Sequence, residues 1–280
     1  MIEDISSKKT KLEALNLLKE GFKDETEQLF KNYLFSNENK NIKRLGVLFK
    51  YEDEAVGVLL LFEKERIFKG NCYRYINFSS WYFKKQYRVF APVLIKNIIN
   101  DSPQNSILTN FTPHNSAIEI FNKFGFNHFD VRFSSVNINI FKCLSTIRIE
   151  RVQKNIPSFF PKDIEEVFQH LLNKNIYNFV IYNKLVTEKC FFSLCFFQKK
   201  GLKFARLLFA SEPEIFVKHL SKIKLNLLIN FRCFGLLFPN FGAYKLISFS
   251  FKTNGKYLYK SSEQLKNIDL LFSEFTELLN

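Results

Sequence analysis

Arg88 stands between an aromatic run, Trp81-Tyr82-Phe83, and an apolar-periodic stretch that opens at Ala91-Pro92-Val93-Leu94. The pattern predicts a strand, a short basic turn with Lys84, Lys85 and Arg88, and the first turn of an amphipathic helix. Unpaired backbone N–H groups and the helix dipole both favour an anion at such a helix entrance, so phosphate binding is the chemistry expected there. Further on, Asn115-Ser116-Ala117-Ile118-Glu119-Ile120-Phe121-Asn122-Lys123-Phe124 reads as a second helix closed by Gly125-Phe126. His114 opens it and could act as a base or touch a substrate; as a helix-entry residue its ring could equally sit in solvent. Ser79 and Ser80 could orient a substrate or a water, or be ordinary strand hydroxyls. Trp81, the sole tryptophan, fits either a core position or a groove wall.

The elements that must position these residues are legible around them. Leu12 to Phe22 carries apolar residues at helical spacing, and Asp24 is placed to cap a second helix through Leu29, Phe30, Tyr33 and Leu34. A polar loop, Ser36 to Lys43, follows. Leu45–Tyr51 and Ala55–Phe62 read as strands joined by a hairpin turn at Glu52-Asp53-Glu54, with a third strand over Cys72–Tyr82. The first helix after the turn spans Ala91 to Asn100, with Pro92 where a missing N–H is harmless. Ser106–Phe111 is a strand, and Val131 to Cys143 alternates like an antiparallel edge pair.

A domain boundary is expected in Thr146–Pro161, which has little periodicity. Beyond it the chain predicts a helix at Asp163–Asn173 and a hairpin of Cys190–Phe197 and Lys203–Phe209 turned at Lys199-Lys200-Gly201. A helix over Glu212–Ile223, strands at Leu225–Ile229 and Tyr257–Tyr259, and a terminal helix from Ser262 to Leu279 complete the reading. The whole is an α/β chain in which the second half partly repeats the first.

Composition narrows the classes. A net charge of +14 invites nucleic acid or an anionic membrane. Basic residues alternate with acidic ones, though, and no motif of basic and aromatic residues gathers on one strand face, so nucleic acid is not an expected partner. Five cysteines without a CxxC pair and four lone histidines suggest reduced thiols and no metal site. No apolar run reaches bilayer length, and no membrane insertion is expected.

The turn and the second helix together resemble the GCN5-related N-acetyltransferase (GNAT) superfamily, over roughly residues 10 to 140. That family has a P-x-Y-R-G-x-G-x-G turn; this chain has Lys85-Gln86-Tyr87-Arg88-Val89-Phe90-Ala91-Pro92-Val93. The family helix N-x-x-A-x-x-x-Y-x-K-x-G-F is matched by His114-Asn115-Ser116-Ala117, then Phe121, Lys123, Gly125 and Phe126. The resemblance implies a GNAT-like mixed sheet flanked by helices over residues 1–145, and a smaller, degenerate GNAT-like or accessory α/β unit over 146–280. It implies acetyl-CoA or another acyl-CoA as cofactor, with Trp81, Phe83, Arg88, Val89, Phe90, Ala91, Val93 and Phe121 lining its site. Acyl transfer to a small-molecule amine, such as an amino sugar, is the implied reaction, with His114 as the catalytic group. A cytoplasmic bacterial protein, able to associate with a second copy of itself, is the corresponding expectation. Val89, Ala91 and Val93 replace the family glycines and Phe121 replaces its tyrosine, which opens the alternative of a scaffold without catalysis.

Overall fold

Ser7 fixes where the first helix begins. Its Oγ accepts the Thr10 N–H at 3.1 Å while Thr10 Oγ1 accepts the Ser7 N–H at 3.1 Å, a reciprocal capping box. The computed structural model describes residues 1–22, 26–35, 44–68, 71–135, 146–172, 174–239, 250–262, 269–271 and 273–278. The chain divides into two units: Met1–His128 with Tyr257–Gln264 and Phe272–Asn280, and Phe129–Lys256 with Leu265–Leu271.

In the first unit, α1 (Lys8–Gly21) and α2 (Glu27–Phe35) bury Leu15, Leu18, Phe30 and Leu34 on one face of a sheet, against Val58, Leu60 and Phe62. The sheet runs β1 (Ile2–Asp4), β2 (Gly46–Tyr51), β3 (Glu54–Phe68), β4 (Asn71–Phe83), β5 (Ser106–Asn110). Neighbours are antiparallel except β4 and β5, which are parallel. A sixth strand comes from far along the chain: Leu258–Lys260, at the end of β12 (Ser250–Lys260), pairs antiparallel with β5. Glu52 and Asp53 turn the β2–β3 hairpin with φ of 48° and 64°, the two positive values that match strand twist. α3 (Ala91–Asp101) and α4 (Asn115–Lys123) cover the other face, burying Leu94, Ile95, Ile98, Ala117 and Phe121 over Leu59, Leu61, Ile76 and Phe78.

The second unit contains β6 (Asn127–Ser135), β7 (Arg148–Val152), α5 (Lys162–Leu171), β8 (Tyr177–Tyr182), β9 (Lys189–Lys199), β10 (Leu202–Ala210), α6 (Pro213–Lys218), α7 (Leu220–Phe231) and β11 (Cys233–Pro239). Its sheet order is β7-β8-β9-β10-β11-β6, antiparallel throughout except for the parallel pair β10–β11. This reproduces the order and directions of the first unit. Both units are α/β with a mixed sheet flanked by helices, as the sequence predicts.

Four local expectations change. Leu225–Ile229 is helical, inside α7, because Ile223 and Leu227 turn one face into the core; a short apolar run carries no period that separates helix from strand. The segment read as a boundary holds β7, whose Arg148-Ile149-Glu150-Arg151-Val152 pairs with β8, itself missed. The second unit begins at Phe129 rather than after residue 145, since Val131–Ser135 pair with β11. Of the terminal helix, the described residues form only α8 (Glu274–Glu277), and Asp269–Leu271 are not helical. Asp24, the 36–43 loop, Cys143 and the second strand of the 131–143 pair lie outside the described residues.

Candidate functional site

β4 and β5 are paired only over Arg74–Asn77 and Ser106–Thr109. The last pair is pinned by Thr109 Oγ1 donating to Asn77 Oδ1 at 3.0 Å, with both side chains buried. β5 ends at Asn110, but β4 runs on to Phe83. From Phe78 to Phe83, the edge of β4 that had faced β5 has no strand partner among the described residues. Within this stretch the register with β3 shifts: Trp81 faces Leu59 and Phe78 faces Leu61, leaving Ser79 and Ser80 to share the place opposite Leu60. A bulge of this kind bends the strand and re-aims its polar groups. The result is an open edge of backbone N–H and C=O groups that an extended ligand with its own amides could pair with.

The turn beyond this edge is tighter than a glycine loop. Lys85–Phe90 form a 3₁₀ helix that runs straight into α3. Tyr87 N–H donates to Lys84 at 2.9 Å and Ala91 N–H donates to the Arg88 carbonyl, while Pro92 has no N–H, so these positions bring no spare donor. Rings hold the turn down: Phe90 stacks on Phe49 at 5.1 Å and Tyr87 packs against Tyr51 at 5.3 Å. The Arg88 side chain is exposed. Val89 is 73% exposed and Val93 48%, so neither side chain fills a cleft beside β4. Val93 instead lines, with Phe49 and Asn97, a cavity of about 760 Å³ between α3 and the β1–β2 edge; Arg88, Trp81 and His114 are not part of that cavity.

The remaining expected residues fall into two groups. Trp81 and Phe83 point to the α3–α4 side, where Trp81 is half-buried 6.2 Å from Phe121 and Phe83 lies 5.8 Å from Phe49. Gly57 makes room for Phe83: a Cβ there would sit 2.4 Å from its ring. Phe121 is 1% exposed, enclosed by Phe78, Trp81 and Phe126, and belongs to the core. His114 is exposed and caps α4, its Nδ1 accepting the Ser116 N–H at 3.4 Å. Its ring does the work of a helix-entry residue.

Tyr82 was not singled out by its sequence context. It turns to the α1 side, where its Oη donates to Glu20 Oε1 at 2.8 Å. Gly21 permits the approach, since a Cβ would fall 2.3 Å from the Tyr82 ring. Burial, then the bond to Glu20, push the Tyr82 phenol above its ordinary value of 10.0, so it stays protonated and able to donate. The sequence of β4 contains no carboxylate; Glu20 supplies one from 62 residues earlier. No local motif signals that pairing.

The equivalent place in the second unit is different. β10 pairs with β11 through Arg206, opposite Leu237, and shows a register shift with β9 between Leu207 and Phe209. The Leu208 carbonyl there accepts the Leu270 N–H at 2.7 Å. After β10, Ser211 folds back on β9, its N–H donating to the Phe191 carbonyl at 2.8 Å and its Oγ accepting the Phe191 N–H at 2.9 Å. No arginine follows before α6. The thiols nearby are inert: burial pushes Cys190 up to about 12 and Cys195 up to about 11. No group of residues suited to a metal occurs among the described residues.

The overall fold is shared with solved structures. A GCN5-related N-acetyltransferase from Anabaena variabilis ATCC 29413 matches with a TM-score of 0.59 at 12% identity, covering 92% of this chain and 72% of that one. A GCN5-related N-acetyltransferase from Kribbella flavida matches at 0.53 and 8% identity, over 92% and 70%. The chain has the GCN5-related N-acetyltransferase fold. The matched share exceeds the length of either unit alone. No family model matches the sequence, and no curated protein matches it either.

Proposed function

We propose that the first unit binds an acyl-coenzyme A along the open edge of β4 and transfers its acyl group to an amine. The observation that carries this reading is the β4 stretch from Phe78 to Phe83, whose β5 edge has no strand partner among the described residues, bulged at Ser79–Ser80 and leading directly to the exposed Arg88. The two amides of a pantetheine arm complement the backbone of that edge, with Trp81 and Phe83 holding the strand from the α3–α4 side. Arg88 offers a guanidinium to the diphosphate. Contacts from the turn then rest on this side chain and on the start of α3 at Val93 more than on the amides of Val89, Phe90 and Ala91.

In the reaction, the amine nitrogen attacks the thioester carbonyl carbon. A C–N bond forms, the C–S bond breaks, and the thiolate leaves with the electron pair. The amine must lose a proton and the thiolate gain one. Tyr82, protonated and held by Glu20, is the group on β4 suited to give a proton; His114, exposed at the α4 entrance, is a proposed contact for the amine. The acceptor is a small metabolite amine, with an amino sugar as the leading class. The protein is proposed to act in the cytoplasm of a bacterium, alone or paired with a second copy.

Titrating coenzyme A calorimetrically into the chain and its Arg88→Ala variant tests the site. Because Arg88 is exposed, the variant should keep its melting temperature and bind about tenfold more weakly or worse, the loss expected for a hydrogen bond to a charged group. Equal affinity of the two proteins would remove the diphosphate site. A second reading, binding without transfer, is favoured by the buried Phe121 and the engaged Ala91 N–H. Amine-dependent release of free thiol from acetyl-CoA separates the two.

A further inference from the structure

The two units share more than strand order. In each, the strand that pairs with a parallel neighbour loses it at a definite point, Asn77 in β4 and Arg206 in β10. Two residues further along, each strand is irregular against its antiparallel partner, at Ser79–Ser80 and at Leu208. Leu208 is thus the counterpart of Ser79. In the first unit no strand of the described residues pairs with the β5 side of β4 at this point. In the second, the Leu208 carbonyl is taken by the Leu270 N–H at 2.7 Å. Leu270 and Leu271 are fully or almost fully buried, and Asp269 Oδ1 accepts the Leu271 N–H at 3.2 Å, which holds the segment in a fixed turn.

We infer that Asp269–Leu271 is a built-in ligand of the second unit: its peptide group occupies the place on β10 that a pantetheine amide takes on β4 in the reading above. An amide N–H meets the bulge carbonyl in either case, and the leucine that carries it is fully buried. The chain therefore binds one acyl-coenzyme A, not two, and the second unit is closed by its own polypeptide. The missing arginine after β10 agrees with this, since a strand already occupied needs no diphosphate anchor.

This inference rests on the proposed cofactor site only in naming what the segment replaces, and the experiment separates the two. Hydrogen–deuterium exchange of the full chain without any ligand should show the Leu270 amide exchanging at least about a hundredfold more slowly than an unstructured peptide. Peptides covering Phe78–Phe83 should gain protection when coenzyme A is added, with no change at 269–271. Calorimetry should give one equivalent of coenzyme A per chain. Rapid exchange at Leu270, added protection there on coenzyme A binding, or a second equivalent would each overturn the inference. Absence of any coenzyme A binding would defeat the proposed function while leaving the ligand-free exchange result to decide the occupied cleft.

Discussion

Among the described residues, the first unit leaves the edge of its central strand without a strand partner beyond Asn77, whereas in the second the Leu270 N–H meets the Leu208 carbonyl at the matching bulge. Their sheets have the same order and the same single parallel pair, and both central strands bend at matching points. The differences begin just after the bend. β4 leads into a basic 3₁₀ turn that displays Arg88; β10 leads into Ser211, which folds back by two hydrogen bonds to Phe191. Architecture alone thus does not make a ligand site. In the proposed reading an open strand edge with a charged side chain at its end does, and among the described residues the first unit has both.

The largest expected effect concerns what the open edge does beyond binding. Tyr82→Phe removes the phenol that donates to Glu20 while leaving the ring against Gly21. If Tyr82 gives the proton in acyl transfer, turnover should fall about a hundredfold, within the usual range for a general acid. Coenzyme A affinity should stay unchanged, because the Phe78–Phe83 backbone is intact. Turnover within twofold of the parent enzyme would reduce the first unit to a binding edge, and the contrast with the second to occupancy alone.

Next in size is a stability effect at α4. Phe121→Tyr adds a hydroxyl and places it among the rings of Phe78, Trp81 and Phe126. A buried hydroxyl without a partner costs about 1–3 kcal/mol, so the melting temperature should drop by several degrees with no gain in rate. A faster enzyme of equal stability would show that position 121 faces the cleft.

How much of this was legible in the sequence differs between the units. The first unit's hairpin, its central strand, α3 and α4 were readable because alternation, the Pro92 and His114 entries, and the Gly125 exit (φ 78°) each mark a local boundary. Arg88 was readable as an exposed cation at a helix entrance. The open edge was not, since it depends on where β5 stops pairing, a long-range fact. The Glu20–Tyr82 contact was hidden for the same reason. In the second unit, β7 alternates charged and apolar residues too briefly to be distinguished from a linker, and Leu225–Ile229 is apolar under either period. The exchange of distant strands was also invisible: β5 and β11 each take an antiparallel partner that sequence order assigns to the other half of the chain.

The smallest expected effect tests how the two turns are tied down. Each unit ties the segment after its central strand to the hairpin before it with a lysine–carboxylate pair: Lys84 with Glu54 in the first, Lys218 with Glu188 in the second. The second also engages His219, whose Nε2 is 2.9 Å from Glu188 Oε2. The pairs are partly exposed, so each is worth less than about 1 kcal/mol, and each has one end of the pH range at which its loss can be followed. The bond to Glu54 raises Lys84 above its ordinary 10.5; stability from this pair is complete below that value and is lost as pH rises through the raised one. Lys218, and then His219, hold Glu188 below its ordinary 4.5; that contribution is present above 4.5 and is lost as pH falls through the depressed value. The Glu54→Gln melting temperature should therefore meet that of the parent protein in alkali, above the raised Lys84 value, and the Glu188→Gln melting temperature should meet it in acid, below the depressed Glu188 value. If Glu54→Gln and the parent protein melt together at neutral pH, the Lys84 pair makes no net contribution, and the first unit's turn is held by the Phe49–Phe90 and Tyr51–Tyr87 rings alone.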